Sequence, residues 1–335
     1  MALLKGVHEI PLPDTPNYIC PTYIFDYGPE IITTVKVEGE EPLLLNNIIK
    51  ANLGKGKIII FGSSEYFNVP MLKNPNIRNI LSNTVLWGSG KKAVKIQLWE
   101  RSDALQQFFK EQRFQIVPDA KDRPDPSVNI LFLTKDVTDS IKMKEIEMFV
   151  RGGGTLIFGS PLAGMFNADP QHIPSLQLNE LFAKAGVYHS FSPFPQTKAS
   201  ALNDSIPYYL HIKTILKELP DNDIYPNKTI RETVISTIGL AAYFGDTALT
   251  NGVKKALGYN EDDPVVPSEE RPVYKDSVRY FLKYTLQNLL FARKMEKEPG
   301  AYYVAPAGKV FPGEVSPSAS RVSGVVTIPV KTGAE

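Results

Sequence analysis

Small polar and acidic residues follow two apolar segments that are predicted to be strands. Ser63-Ser64-Glu65 comes after the segment 57–62, and Ser160 comes after the segment 155–159. In an open α/β sheet, ligands bind outside the carboxyl ends of the strands. A hydroxyl or carboxylate at that edge could serve as a nucleophile or a base. Ser160 and Glu65 are therefore candidate catalytic residues for a hydrolase or amidotransferase reaction.

The sequence around Ser160 lacks the usual surroundings of a nucleophile. Gly159-Ser160-Pro161 does not continue as the G-x-S-x-G pattern of a nucleophile elbow. Pro161 has no amide N–H to offer an oxyanion. Cys20 lies in a proline-rich N-terminal segment, far along the chain from either strand end. His172 and His189 follow Ser160, and folding could bring one of them to it as a base. We predict no hydrolytic or transferase activity.

No metal or cofactor site is predicted. The four histidines are separate from one another, and none belongs to an H-E-x-x-H motif; they are His8, His172, His189 and His211. The glycines and lysines of 88–92 precede a strand rather than a helix, so they do not form a P-loop. Gly152-Gly153-Gly154 joins a helix to a strand, and we expect at least one of these glycines to have positive φ.

Composition excludes several classes of protein. The 335 residues include 37 Lys+Arg and 36 Asp+Glu, so the net charge is +1. This balance gives no strong field for nucleic acid, and the 43% hydrophobic content is that of a globular protein. A single cysteine permits no intrachain disulfide and indicates a reducing compartment. No apolar run reaches the roughly 18 residues of a membrane span. A protein partner is expected, without nucleic acid.

Strands and helices alternate through the middle of the chain. The predicted strands are 57–62, 94–98, 129–133 and 155–159, and the predicted helices are 74–86, 103–111 and 140–150. This order specifies a doubly wound, mostly parallel α/β sheet with helices on both faces. Three segments are continuously apolar and are predicted to be adjacent parallel core strands: Ile58–Phe61, Ile130–Leu133 and Leu156–Phe158.

The two ends of the chain have weaker patterns. Residues 1–24 are predicted to be an extended segment, 25–190 the α/β domain, 191–298 an accessory helical region and 299–335 a β-rich tail. Leu43 to Ala51 fits a strand or a short helix. Helices are expected at Leu176–Ala185, at Pro207–Leu219 and over about Val273–Lys297.

Several motifs together resemble a known family. The segments Gly54–Gly62, Glu65–Phe67 and Ile80–Trp87 are similar to a signature of TRP-channel-associated factors and their enhancin-like metallopeptidase relatives. Phe149–Gly159 resembles the helix-to-strand step of that family. Tyr302–Val330 resembles the strand that opens its β-sandwich domain.

The resemblance implies a class I glutamine-amidotransferase-like, flavodoxin-like domain that has lost its catalytic Cys/His pair. It further implies a non-catalytic binding module that regulates an ion channel or its delivery to the plasma membrane. Such a protein is expected in the cytoplasm or peripherally at that membrane. Ser63-Ser64 stands where the family has His-Glu, and the sequence has no H-E-x-x-H peptidase motif. Two alternatives stay open: a hydrolase or amidotransferase that uses Ser160, and a scaffold subunit of a larger assembly.

Overall fold

The fold is taken from a computed structural model. It describes residues 2–13, 18–37, 43–90, 92–117, 123–161, 177–190, 193–198, 200–201, 206–260, 262–263 and 276–297. The chain forms two compact units. The first comprises Met1–Ile24 and Gly28–Pro207, and the second comprises Phe25–Tyr27 and the described residues from Tyr208 onward. The predicted domain boundaries at 24, 190 and 298 stay predictions, and the predicted tail 299–335 lies outside the described residues.

The first unit is built on a large sheet flanked by helices. Its strands are β1 Glu9–Ile10, β2 Tyr18–Ile19, β3 Thr22–Ile24, β4 Glu30–Val37, β5 Leu43–Leu53, β6 Gly56–Phe61, β7 Lys95–Leu98, β8 Gln115–Val117, β9 Ile130–Leu133, β10 Thr155–Gly159, β11 Val187–His189, β12 Phe194–Lys198 and β13 Ser200–Ala201. Its helices are α1 Pro75–Ser89, α2 Asp103–Glu111, α3 Ser140–Arg151 and α4 Asn179–Ala183. The nine-stranded sheet has the order β2-β12-β4-β5-β6-β10-β9-β7-β8.

The predicted core strands are confirmed as neighbours. Strand β10 pairs in parallel with β6 on one side and β9 on the other, so that Leu156 lies between Ile58 and Leu131. All three side chains are fully buried. Continuous apolar sequence is required here because both faces of these strands are covered.

Helices cover both faces of the parallel strands, as a doubly wound sheet requires. Helix α1 lies so close to one face that a Cβ on Gly88 would be 2.8 Å from Ile130 Cδ1. Helix α3 lies on the opposite face, where a Cβ on Gly56 would be 1.9 Å from the Val150 carbonyl oxygen. Phe109 of α2 packs on Phe132, and Phe182 of α4 packs on Phe158. The two faces thus carry α1 with α2 and α3 with α4.

The prediction of a mostly parallel sheet is wrong. Strands β2, β12, β4 and β5 extend the sheet by antiparallel pairing, and β5 joins β6 in antiparallel register. Numbered along the chain from β6, the five parallel strands have the order 3-2-4-5-1, read from β8 to β6. Flavodoxin-like sheets have the order 2-1-3-4-5. The α/β class is confirmed, whereas the flavodoxin-like type is not.

Three other elements differ from the sequence-based expectation: an ambiguous segment, a shorter helix and a strand that was not predicted. The ambiguous segment from Leu43 is strand β5, because both of its edges are paired. Helix α4 is shorter than expected at both described ends, and the chain turns at Gly186 (φ +79°) into β11. Strand β8 was not predicted, because three residues are too few to show an alternation.

The second unit is helical in its described part. It contains α5 Ile212–Glu218, α6 Lys228–Phe244, α7 Thr247–Ala256 and α8 Val278–Lys297. Gly239 of α6 lies against Leu289 of α8, whose Cδ1 would be 3.8 Å from an added Cβ. Helix α8 begins after Ser277, whose hydroxyl accepts from the Tyr280 amide at 3.1 Å. Phe25 enters this unit from the N-terminal part of the chain, and its ring centroid is 5.7 Å from that of Phe244.

Candidate functional site

The carboxyl ends of β6 and β10 meet at a point where ligands bind in many α/β sheets. The two strands are neighbours, yet β6 leads towards α1 on one face and β10 leads towards α4 on the other. Such a divergence opens a crevice at the sheet edge. Ser63, Ser64 and Ser160 lie at this edge, as the sequence predicts.

Backbone hydrogen bonds close this crevice. The Ser64 amide donates to the Ser160 carbonyl at 2.7 Å, and the Ser160 amide donates to the Phe61 carbonyl at 3.1 Å. The Ser63 hydroxyl accepts from the Glu65 amide at 3.1 Å and begins a short 3-10 helix at Ser64–Phe67. Ser63 and Ser160 are both 0% exposed. A substrate cannot reach the Ser160 hydroxyl in this arrangement.

Cys20 lies beside Ser160, which corrects the expectation that it is remote from the strand ends. The Cys20 amide donates to the Gly62 carbonyl at 2.8 Å, at the end of β6, while the Ser160 amide donates to the Phe61 carbonyl one residue earlier. Burial raises the pKa of the thiol to about 12, although the neighbouring Ser160 side chain lowers it in part. A thiol in this state is not a nucleophile at neutral pH.

His189 lies in the same unit but does not act on Ser160. Its Nδ1 shares a hydrogen bond of 2.9 Å with the Thr22 hydroxyl, and its Nε2 has no hydrogen-bond partner. The ring packs edge-on against Phe158 with centroids 5.7 Å apart. Burial lowers the pKa of His189 to about 3, so that the imidazole is neutral at physiological pH. His189 is therefore not placed as a base for Ser160.

Of the two remaining candidates, only Glu65 lies among the described residues, and its observed contact is with Asn68. Glu65 is half-buried, and its carboxylate accepts from the Asn68 side chain at 3.3 Å. His172 lies outside the described residues. Among the residues that are described, no group of three or more His, Cys, Asp and Glu side chains could hold a metal ion. No helix in the described part of the chain is long and apolar enough to cross a membrane.

A buried polar network behind the crevice was missed by sequence reasoning. The Asn47 amide donates to the Tyr66 hydroxyl at 3.0 Å, and that hydroxyl donates to Gln196 Oε1 at 3.2 Å. Burial raises the pKa of Tyr66. The network joins β5 to β12 through the 3-10 helix after β6. Tyr66 belongs to the motif that carries the family resemblance, and its observed contacts are structural.

A second divergence of the sheet lies between β7 and β9, and it is also bridged. Strand β7 leads to α2 and strand β9 leads to α3 on the opposite face. Glu100 Oε2 accepts from both the amide and the hydroxyl of Thr134, at 3.0 and 3.2 Å. Sequence reasoning did not predict this pair, because the two residues follow different strands that are far apart along the chain.

The glycines at the end of α3 are required by backbone conformation and close packing. Gly153 has φ +111°, as predicted for at least one residue of the triplet. A Cβ on Gly154 would be 2.3 Å from the Phe149 ring. Positive φ and close packing account for two of the three glycines.

Comparison with known proteins gives structural similarity only. The sequence matches no known family profile and no curated protein. The structure is similar to that of the IMPa metallopeptidase in complex with T-antigen, with a TM-score of 0.48 and 10% identity over 86% of this chain. It is also similar to IMPa from Pseudomonas aeruginosa in complex with an O-glycopeptide, with a TM-score of 0.47 and 10% identity over 87% of this chain. The chain spans 36% of the length of each of these proteins.

Proposed function

We propose that this chain is a non-catalytic protein-binding module, similar to TRP-channel-associated factors, that regulates the activity or plasma-membrane targeting of an ion channel. One observation supports the non-catalytic part of this proposal. Ser160 is fully buried, and its backbone is hydrogen-bonded to Phe61 and Ser64 at the ends of the two strands. The channel, a cytoplasmic or peripheral membrane location and an amidotransferase-like ancestry come from the sequence resemblance alone.

Covalent catalysis needs three parts, and the described residues do not assemble them. A nucleophile must be reachable, a base must contact it, and donors must face the developing oxyanion. Ser160 is buried, His189 Nδ1 is bonded to Thr22 instead, and Pro161 supplies no amide. Cys20 is adjacent to Ser160, but burial keeps its thiol protonated.

The non-catalytic part is tested with purified chain and two substrates, a p-nitrophenyl ester and L-glutamine. We expect hydrolysis at the background rate for the wild type, Ser160→Ala and Cys20→Ala alike. Glu218→Gln is a matched control, because it changes a residue of the other unit. Turnover that is lost in Ser160→Ala or Cys20→Ala but kept in Glu218→Gln would contradict the proposal and favour the hydrolase alternative.

The binding part is tested by co-expression with a TRP channel in cultured cells. We expect the chain to co-purify with the channel and to change the channel's surface fraction, measured by surface biotinylation. An unrelated potassium channel serves as the control. Equal recovery of both channels, or of neither, would argue against channel binding.

A further inference from the structure

Three exposed apolar side chains lie on neighbouring segments of the second unit. Tyr208, Ile224 and Tyr280 are 40%, 67% and 37% exposed. They are connected through short contacts: Ile224 forms a β-bridge with Ser277, and the Ser277 hydroxyl accepts from the Tyr280 amide. The Tyr208 ring centroid lies 6.4 Å from that of Tyr225, the residue after Ile224. Exposed apolar side chains that adjoin one another often mark an interaction surface.

Two carboxylates, those of Asp223 and Glu218, lie near these side chains. Asp223 precedes Ile224, and its Oδ2 accepts from the Ser277 hydroxyl at 2.5 Å. Burial, followed by the nearby Tyr208, Asp223 and Glu218, raises the pKa of Tyr225. Burial and Glu218 likewise raise the pKa of Tyr208. We call the set Tyr208, Glu218, Asp223, Ile224 and Tyr280 the acidic tyrosine patch.

The Tyr225 hydroxyl beside this patch lacks a partner. Tyr225 is only 3% exposed, and its hydroxyl oxygen is buried without a hydrogen bond. A buried polar group in this state costs free energy, typically about 1–3 kcal/mol.

We infer that the acidic tyrosine patch binds a lysine or arginine side chain of a protein partner, an inference that rests on the proposed binding function. A basic head group carries only donors, which match the two carboxylates of the patch. The exposed face of Tyr208 adds a cation–π contact. Ile224 offers apolar surface to the aliphatic stem of the same side chain.

Three of the chain's own cations lie near the patch. Arg231 is firmly held, because it donates to the Tyr225 carbonyl at 3.1 Å and to Asp276 Oδ1 at 2.5 Å. The other two, Lys217 and Arg279, make weaker contacts. Lys217 Nζ is 4.0 Å from Glu218 Oε1, and its side chain is 81% exposed. Ion pairs of this kind contribute little and are readily displaced. Arg279 donates to the Pro220 carbonyl at 3.1 Å, so its guanidinium is directed at the backbone. A partner's cation can therefore compete for the patch carboxylates.

Binding is measured with the whole chain and a fluorescein-labelled peptide, acetyl-Lys-Leu-Lys-Leu-Lys-amide, by anisotropy at low salt. The probe with glutamates in place of lysines is the charge control. We expect saturable binding of the basic peptide only, weakened about tenfold or more by Tyr208→Ala and by the double change Glu218→Gln with Asp223→Asn. Tyr27→Ala is the matched control, because Tyr27 is a 50% exposed tyrosine of the same unit. Circular dichroism verifies that each variant is folded.

The outcomes separate the patch from the proposed function. Two results would overturn the inference that the patch binds a basic side chain: equal binding by the patch variants and Tyr27→Ala, or no binding of the basic peptide. Neither result bears on channel binding, which the co-expression experiment tests. Tyr208→Phe should keep the affinity, since it keeps the aromatic face. Ser160-dependent turnover would instead overturn the proposed function without any change in peptide binding.

Discussion

Burial determines the chemistry of the residues that the sequence nominates. Cys20, Ser160 and His189 are of types that catalyse acyl transfer, and all three lie in the first unit. Each is fully buried, so desolvation favours the neutral thiol and the neutral imidazole. The residue types are those of acyl-transfer catalysts, and burial keeps the Cys20 thiol protonated and the His189 imidazole neutral.

We expect the Cys20 thiol to be unreactive in the folded protein. Its pKa of about 12, against an ordinary 9.0, reduces the thiolate fraction roughly 10³-fold at pH 8. Burial hinders the reagent as well. The rate of reaction with DTNB should be at least that much slower in buffer than in 6 M guanidinium chloride. Comparable rates in the two conditions would show that Cys20 is accessible.

His189 should make the fold sensitive to acid. Its folded pKa of about 3 lies below the ordinary 6.5, so the unfolded chain binds the proton more tightly. The contribution of neutral His189 to the free energy of unfolding is fully present above pH 6.5 and is lost as the pH falls from 6.5 towards 3. At pH 5 the loss is about 2 kcal/mol.

Urea unfolding at pH 7.5 and pH 5 measures this effect. The wild type should lose about 2 kcal/mol more than His189→Gln between the two pH values. His8→Gln, at an exposed histidine, should follow the wild type. Parallel pH profiles for wild type and His189→Gln would contradict the assignment.

At the scale of elements, β10 is the central strand of the core. It lies between β6 and β9, and all five of its residues are buried. We expect Leu156→Ala to lower the free energy of unfolding by about 2–5 kcal/mol. Leu86→Ala, at a half-exposed leucine of α1, should change it by about 0.5 kcal/mol or less. Denaturant midpoints measure both, and similar losses would show that β10 is not in the core.

Close contact between β6 and α3 should make Gly56 irreplaceable. An added Cβ would lie 1.9 Å from the Val150 carbonyl oxygen and 2.4 Å from that of Gly154. Backbone atoms cannot move aside as a flexible side chain can. Gly56→Ala should cost at least about 2 kcal/mol, whereas Gly28→Ala, with no atom within 4 Å of its Cβ, should be nearly neutral. Thermal unfolding of the two variants tests this; equal melting temperatures would refute it.

At the scale of the whole molecule, the helical unit includes a segment from the start of the chain. Phe25 is 1% exposed and packs on Phe244. We expect Phe25→Ala to destabilise this unit by about 3–5 kcal/mol. Both tryptophans, Trp87 and Trp99, lie in the first unit, so their fluorescence reports on that unit alone.

Helical circular dichroism reports on the helices of both units, whereas tryptophan fluorescence reports on the first unit alone, so a loss confined to the second unit shifts mainly the former. Phe25→Ala should shift the helical circular dichroism transition to lower urea and shift the tryptophan transition less. Tyr27→Ala, two residues along, removes a half-exposed ring and should shift neither appreciably. Equal shifts of both transitions in Phe25→Ala would show that the effect is not confined to the helical unit.

The sequence by itself determined the parallel part of the α/β unit. Apolar runs such as Ile58–Phe61 and Leu156–Phe158 indicate strands buried on both faces, and the helices between them follow from periodicity. The positive φ of Gly153 was also predictable, because a helix that ends before a strand commonly needs such a residue. These features depend on neighbours along the chain.

Only the tertiary structure decided what depends on distant segments. The antiparallel half of the sheet, the contact of Cys20 with the end of β6 and the link between Asn47, Tyr66 and Gln196 each join segments far apart in sequence. Strand order is likewise set by how whole faces pack, which no local pattern encodes. Burial is the common physical reason: it fixes whether Ser160 can meet a substrate and whether Cys20 and His189 carry charge, and it exists only once the chain has folded.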